Sequence, residues 1–319
     1  MTKIGFIADC QYGDLDDQHQ EGRVQRFRQV PDKLKRALEA LSDCDFVVHL
    51  GDIIQSHTSK EVTEDEFNLI CSIFEEHAPH MERVHVLGNH CIQTLGRETV
   101  MERLRIPEPG YYTRDIAANW KFVVLDTTEM SGHSQFPDDS DQVLEANAYW
   151  EEHPLSPFDA HMVSWNGGIT ARQREWLENE LECAQSSGTC VIIVAHHQVC
   201  PGAARMTHLA WNHGEILETI TKYSAVKLFL AGHDHIGGGN ALCLRAKARN
   251  LQYFVTVPAI LEAPEGSNAH VAIDLDMFHE QGCTIQKPSS ADDDGTMPII
   301  PFGARCHHIM EHLGDLSTS

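Results

Sequence analysis

Carboxylate, imidazole and amide side chains recur in this sequence where apolar runs stop. Asp9 and Gln11 follow residues 3–8, Asp52 follows 47–50 and a glycine, and Asn89 and His90 follow 84–87. His196 and His197 follow residues 189–195, and His233 and His235 follow 226–231. In Asp9-x-Gln11 and His233-x-His235 the paired residues project to one face of an extended chain, so each pair can aim two donors at one region. Any one of these signals is weak, because a strand-end Asp is often a turn residue and a lone buried His is commonly a hydrogen-bonded core group. Five such ends together point to one metal centre. The donor mix needs no cysteine and suits borderline divalent ions such as Mn, Fe, Co, Zn or Ni better than Ca alone. Two ions about 3.5–4 Å apart, bridged by Asp52, would polarise a phosphoryl oxygen and lower the pKa of a shared water. The resulting hydroxide would attack phosphorus in line with the leaving oxygen.

Such a centre needs strands whose ends meet. The run at 47–50 is rich in β-branched residues, and strand ends of this kind open onto the ligand crevice of α/β sheets. Strands are expected at 3–8, 45–50, 84–87, 120–125, 189–195 and 226–231. Helical spacing runs from 23 to 41, with Pro31 breaking or restarting it. Further helices are expected at 63–77, with Thr63 and Glu66 at capping-box spacing, at 170–184 and at 216–223. Residues 12–22 read as loop. Residues 131–168, rich in Asp, Pro, His and Gly, read as an irregular insertion near the site. Residues 236–285 read as short strands and turns of a second sheet. The βαβαβ start followed by mixed α/β and then mostly β predicts an α/β fold of two mixed sheets packed as a sandwich and flanked by helices. Residues 1–285 would form one domain, and 286–319, with their Ser and Asp runs, a flexible tail.

The chain has 319 residues, is 42% hydrophobic and carries a formal net charge of -23. A nucleic-acid binder would show the opposite balance or a basic stripe; Arg245, Lys247 and Arg249 are the nearest thing to one. A small anionic substrate remains compatible if metal ions supply positive charge locally. No apolar stretch approaches the ~20 residues that span a bilayer. The ten scattered cysteines, without C-x-x-C pairs, and the absence of a leader before Ile4 lead to the expectation of reduced thiols and a cytoplasmic protein. A monomer is favoured.

Asp9-x-Gln11, Gly51-Asp52, Gly88-Asn89-His90, His196 and Gly232-His233-x-His235, in this order, resemble the calcineurin-like metallophosphoesterase superfamily. Most members carry His where this chain has Gln11. Within the superfamily, the stretches 8–12, 51–55, 210–212, 232–238 and 258–264 resemble manganese-dependent ADP-ribose/CDP-alcohol diphosphatases. The resemblance covers residues 3–285. It implies the αββα metallophosphoesterase fold and two divalent ions, Mn foremost and Fe, Zn or Co as alternatives. It implies that Asp9, Gln11, Asp52 and His235 hold one ion, and that Asp52, Asn89, His196 and His233 hold the other. Gln11 would ligate through a neutral carbonyl oxygen, a weaker donor than imidazole. His90, next to a ligand, would stabilise the transition state or protonate the leaving group. His197 competes with His196, but the family's single ligand at this strand end matches His196.

The reaction implied is hydrolysis of the pyrophosphate in small nucleoside diphosphate derivatives, ADP-ribose or CDP-alcohols. Asn89, His90, Trp211 and Asn212 are candidate substrate contacts, with core packing the alternative for Trp211. Two other readings stand beside it. One is a phosphodiesterase or phosphomonoesterase acting on another small substrate such as a cyclic nucleotide. The other is a non-catalytic interaction module, which should lack ligands, whereas every position here has a competent donor. His49 is expected to pack inside its strand, Asp234 to point away from the ions as a solvated or supporting group, and Asp14 and Asp17 to lie in a surface loop.

Overall fold

The apolar runs form strands because both of their faces are covered. The computed structural model describes residues 2–20, 22–56, 58–243, 251–267 and 269–275. In a first sheet β1 (Lys3–Ile7), β4 (Phe46–His49) and β5 (Glu82–His85) run parallel, and β14 (Val271–Asp274) pairs antiparallel with β1. The second sheet has the order β12 (Gly238–Cys243), β13 (Leu251–Thr256), β11 (Val226–Ala231), β10 (Cys190–Val194), β7 (Trp120–Val124), β6 (Tyr112–Ala117). Its inner four strands are parallel. Two short hairpins complete the strands, β2 (Gln18–Gln20) with β3 (Arg23–Gln25) and β8 (Met130–Ser131) with β9 (Gly167–Gly168).

Alternation along each strand sorts the side chains into layers. Ile4, Phe6, Phe46 and Val48 of the first sheet share a core with Phe122, Val124, Ile192, Val194, Leu228 and Leu230 of the second. The rings of Phe6 and Phe122 meet edge to face with centroids 6.5 Å apart. Each such side chain, fully buried, stabilises by roughly 1.5–3 kcal/mol. On the outer face of the first sheet, Ile7 and Val47 pack with helices α1 (Val30–Ala40), α2 (Lys60–His77), α3 (Asn89–Leu95) and α4 (Arg97–Leu104). On the outer face of the second, Val123, Val191 and Ile193 pack with α6 (Ala171–Ser187) and α7 (His213–Thr221). The expected helix-flanked sandwich of two mixed sheets is the observed fold.

Several local expectations are corrected. Helix α2 begins at Lys60, not Thr63: the Ser59 hydroxyl caps it by accepting from Val62 N at 3.4 Å. Thr63 and Glu66 are buried one turn inside, where Glu66 accepts from Asp14 N at 2.8 Å. Residues 18–25 form the β2–β3 hairpin, so the helix read from Arg23 starts only at Val30; Pro31 sits in its first turn, where a missing N–H breaks no intrahelical bond. Residues 131–168 are not irregular throughout. Ser140 caps α5 (Asp141–Glu152) by accepting from Val143 N at 3.3 Å, and Ala146 and Tyr149 pack against Met130, Met162 and Trp211. Tyr112 opens β6, and α7 starts at His213 rather than 216. Of residues 236–275, β12 and β13 extend the second sheet but β14 returns to the first. The expected tail at 286–319 and the trio Arg245, Lys247 and Arg249 lie outside the described residues. Among the described residues no helix is long and apolar enough to cross a membrane.

Candidate metal centre

The parallel strands of both sheets end on one side of the molecule, and the chain turns sharply there. Asp9 (φ 51°), Gln11 (φ 42°), Asp52 (φ 57°) and His233 (φ 65°) all adopt left-handed backbone conformations that non-glycine residues rarely take. Strain of this kind persists where surrounding structure over-determines it, and it clusters at functional sites. The preceding glycines have a steric cause. A Cβ on Gly51 would lie 2.4 Å from His196 Nδ1, one on Gly88 2.2 Å from Asp52 Oδ1, and one on Gly232 2.6 Å from Asp9 Oδ2. These three strand ends carry a glycine because a residue from a neighbouring strand end presses on its backbone.

The hydrogen-bond network fixes which ring nitrogens face the centre. His196 Nδ1 donates to Leu50 O at 2.9 Å, leaving Nε2 as the inward atom. Asn166 spends its NH2 group on His161 O and Thr207 O at 2.8 and 2.9 Å, so its Oδ1 accepts from His233 Nε2 at 2.7 Å. His233 therefore turns the lone pair of Nδ1 inward, 3.2 Å from His196 Nε2. Asn89 Oδ1 and Asp52 Oδ2 lie 3.0 and 3.2 Å from the same nitrogen. Three acceptor atoms thus crowd His196 Nε2. A proton there can satisfy only one of them, whereas a cation among the four satisfies all. The donor set fits a divalent metal ion on this geometry.

A second group adjoins the first. His235 Nδ1 donates to Glu262 Oε1 at 2.9 Å, which turns Nε2 toward Asp9 Oδ1 at 3.8 Å. Asp9 Oδ1 is buried without a hydrogen-bond partner, while Oδ2 accepts from His233 N at 2.9 Å. Asp52 stands between the groups: its Oδ1 accepts from His90 N at 2.9 Å and its Oδ2 from Gln11 Nε2 at 3.1 Å. Gln11 is thus beside the centre with its amide nitrogen toward Asp52, and a half-turn of the amide exchanges that end for the carbonyl oxygen.

Charge follows the same layout. Burial alone would raise the Asp52 carboxyl, but His196 and His90, with hydrogen bonds from His196 and Gln11, hold it far below the usual carboxylate range. Burial would lower His196, yet Asp52 and then Asp9 raise it to about 9. Burial pushes Asp9 up to about 6 against the pull of His235 and His196. His90 is half-buried, its Nδ1 donating to Gln55 O at 3.0 Å, so Nε2 is the free end of the ring.

The residues read as ligands, Asp9, Gln11, Asp52, Asn89, His196, His233 and His235, thus come together with His90. His197 is buried beside them; its Nδ1 bonds Thr127 Oγ1 at 2.8 Å, while its Nε2 is buried without a hydrogen-bond partner and the ring groups with those of His196 and His233. The fold uses the hydrogen-bonding groups of Trp211 and Asn212, while one side of the Trp211 ring lines a cavity. Trp211 Nε1 donates to Val163 O at 3.0 Å, and the Asn212 amide bonds both Ile169 N and Ile169 O, at 3.2 and 2.7 Å. Of the two expectations for Asp234, the supporting position beside the donors holds and the solvated one does not: it is buried and held by Arg205 at 3.0 Å. His49 packs as expected, its ring edge-on to Phe74 with centroids 5.8 Å apart. Sequence reading missed Asn166 and Glu262 as orienting partners. It also missed His133, whose pKa is lowered first by burial and then by the charge of His90. Only spatial contact identifies Asn166; Glu262 carried a signal, a carboxylate right after the buried Ile260-Leu261.

Residues 2–237 match the family model described as calcineurin-like phosphoesterase. The chain belongs to the calcineurin-like phosphoesterase family. Two curated relatives, from Arabidopsis thaliana and Oryza sativa subsp. japonica, are each 30% identical and named manganese-dependent ADP-ribose/CDP-alcohol diphosphatase. Each alignment covers 86% of this chain, with 91% of the first relative and 88% of the second. A crystal structure of a dimetal phosphatase from Danio rerio shares the fold, with a TM-score of 0.76 and 24% identity over 85% of this chain and 92% of that one. For a calcineurin-like phosphoesterase, the convergence of seven donor side chains at the strand ends is where a metal centre belongs.

Proposed function

We propose that this phosphoesterase hydrolyses the pyrophosphate of small nucleoside diphosphate derivatives, ADP-ribose to AMP and ribose 5-phosphate and CDP-alcohols to CMP and a phosphoalcohol. The observation that carries the reading is the set of acceptors around His196 Nε2, joined through Asp52 to a second set at Asp9 and His235. Asp9, Gln11, Asp52 and His235 would hold one divalent ion and Asp52, Asn89, His196 and His233 the other. Such ions, manganese by analogy with the relatives' names, neutralise phosphate oxygens and lower the pKa of water.

The chain's own residues do the rest. Asn166 and Glu262 hold His233 and His235 in one tautomer and orientation, the role outer hydrogen bonds play around metal ligands. Asp52 is pinned from both sides by His90 N and Gln11 Nε2. With Nδ1–H on Gln55 O, the imidazolium form of His90 presents Nε2–H, which can donate to the departing phosphate oxygen.

The test is a substrate panel on protein stripped with EDTA and resupplied with each metal: ADP-ribose, CDP-choline, cyclic AMP and bis(p-nitrophenyl) phosphate. The reading expects Mn-dependent cleavage of both diphosphates, abolished in Asp52→Ala. Negligible turnover of both, with brisk hydrolysis of cyclic AMP or the aryl ester, overturns it.

A further inference from the structure

Beside the metal centre lies a cavity of about 960 Å³, walled by the junction of α3 and α4, the segment after β8, and α5. Helix α3 starts on Asn89 and His90 and ends at this wall; seven residues at ~1.5 Å each place the cavity ~10 Å from the ligands. Ser164, another wall residue, is two positions from Asn166, which holds His233.

The lining has a definite chemistry. Phe136, Trp150 and Trp211 supply aromatic surface. The two indole rings are tilted with centroids 5.0 Å apart, and Trp211 has already spent its N–H on Val163 O. Glu98, Glu108 and Asp138, all exposed, also line the cavity, and none of them is paired with a cation among the described residues. The one cation in the wall, Arg97, is committed. It pairs with Asp126 and donates to Ser134 O at 2.9 Å and to Thr128 O and Oγ1 at 3.2 and 3.0 Å. Its guanidinium also lies 4.4 Å from the centroid of Phe136, so this wall already holds a cation against an aromatic face.

A sugar phosphate entering here would meet three carboxylates and no free positive charge. An alkylated ammonium would meet aromatic faces and a negative field, the pairing that recognises quaternary ammonium groups. We propose that this cavity takes the cationic alcohol end of a CDP-alcohol, so that substrates ending in a quaternary ammonium are cleaved in preference to those with neutral or anionic ends. The proposal rests on the diphosphatase reading and adds the selectivity of its second half-site.

CDP-choline and CDP-glycerol share base and pyrophosphate and differ in that charge. In the Mn-loaded enzyme, kcat/KM is expected to favour CDP-choline by about tenfold. Trp150→Ala, and separately the pair Glu108→Gln with Asp138→Asn, should erase the preference through KM for CDP-choline and leave CDP-glycerol unchanged. Free choline is the second probe. In EDTA-treated protein, saturation transfer to its methyl protons should be seen, and Trp150→Ala should remove it. Equal turnover of the two substrates overturns the proposal. So does an equal loss on both in Trp150→Ala, which would assign the cavity to the nucleotide they share. If neither substrate is cleaved, the diphosphatase reading fails on its own, and the choline measurement still decides for or against the cavity.

Discussion

Replacing Gly88 by alanine probes whether the strand ends are packed as tightly as the metal centre requires. Gly88 has φ -115° and ψ 156°, a conformation any residue adopts, so the substitution adds no backbone strain. Its effect is steric alone. The new Cβ would lie 2.2 Å from Asp52 Oδ1 and 2.3 Å from Asp52 N, where ordinary contact begins at 3.4 Å. The backbone nitrogen cannot swing aside as a side chain can, and β4 and β5 are tied by the register Val48↔Val84 just upstream. Asp52 must therefore retreat by about 1 Å, carrying with it the oxygen that accepts from His90 N. A displacement of that size is worth about 100-fold in rate, and the overpacking about 1–3 kcal/mol of stability. The assays are kcat/KM on CDP-choline with saturating Mn, calorimetric Mn titration and denaturant unfolding. Gly214→Ala is the control: it lies in α7 with nothing within 4 Å of the new Cβ and should gain about 0.5–1 kcal/mol with full activity. A Gly88→Ala enzyme that binds Mn normally and retains kcat/KM within about threefold would refute this account of the glycine.

Other expectations follow from single contacts. Glu262→Ala should weaken Mn binding about 10- to 100-fold in titration, because His235 loses the carboxylate that orients it. Gln11→His, an imidazole in place of a neutral amide, should tighten it; an unchanged affinity would remove Gln11 from the ligands. Asn212→Ala should cost about 1–3 kcal/mol in denaturant unfolding by stranding the Ile169 backbone groups, with KM unaltered. Lys33, buried with Nζ on Leu261 O at 3.0 Å, has its pKa lowered to about 8, first by burial and then by Arg26. Between about pH 8 and 10.5 the unfolded chain holds the extra proton, so Lys33 makes stability rise with pH in that window. Subtracting the pH profile of Lys33→Met from that of the native chain should reveal that rise.

The strands were legible because their two-sided burial left continuous apolar runs, and the cluster of donor side chains was legible because each of these runs stops on one. Helix α5 was not: Pro137, Pro154 and Pro157, with the acidic Asp138-Asp139, mask a 12-residue helix whose only strong marker is the Ser140 cap. Strand β6 was hidden because half of it, Thr113-Arg114-Asp115, is exposed and polar. Asn166 escaped because it touches His233 across 67 positions, and nothing local to either residue announces that bond. Trp211 and Asn212 hid their packing contacts for a related reason. They follow the His196 strand in sequence, yet their partners Val163 and Ile169 belong to another segment, which draws both side chains inward.

The division of the clustered donor side chains between two sheets bears on how the protein can be made. Asp9, Gln11, Asp52 and Asn89 leave the ribosome first, whereas His196, His233 and His235 emerge more than a hundred residues later. The first sheet is itself incomplete until β14 arrives to flank β1. A nascent or truncated chain therefore offers the carboxylates and amides without the imidazoles of His196, His233 and His235. Assembly of the full donor cluster is therefore a late event of synthesis, coupled to closure of the whole sandwich.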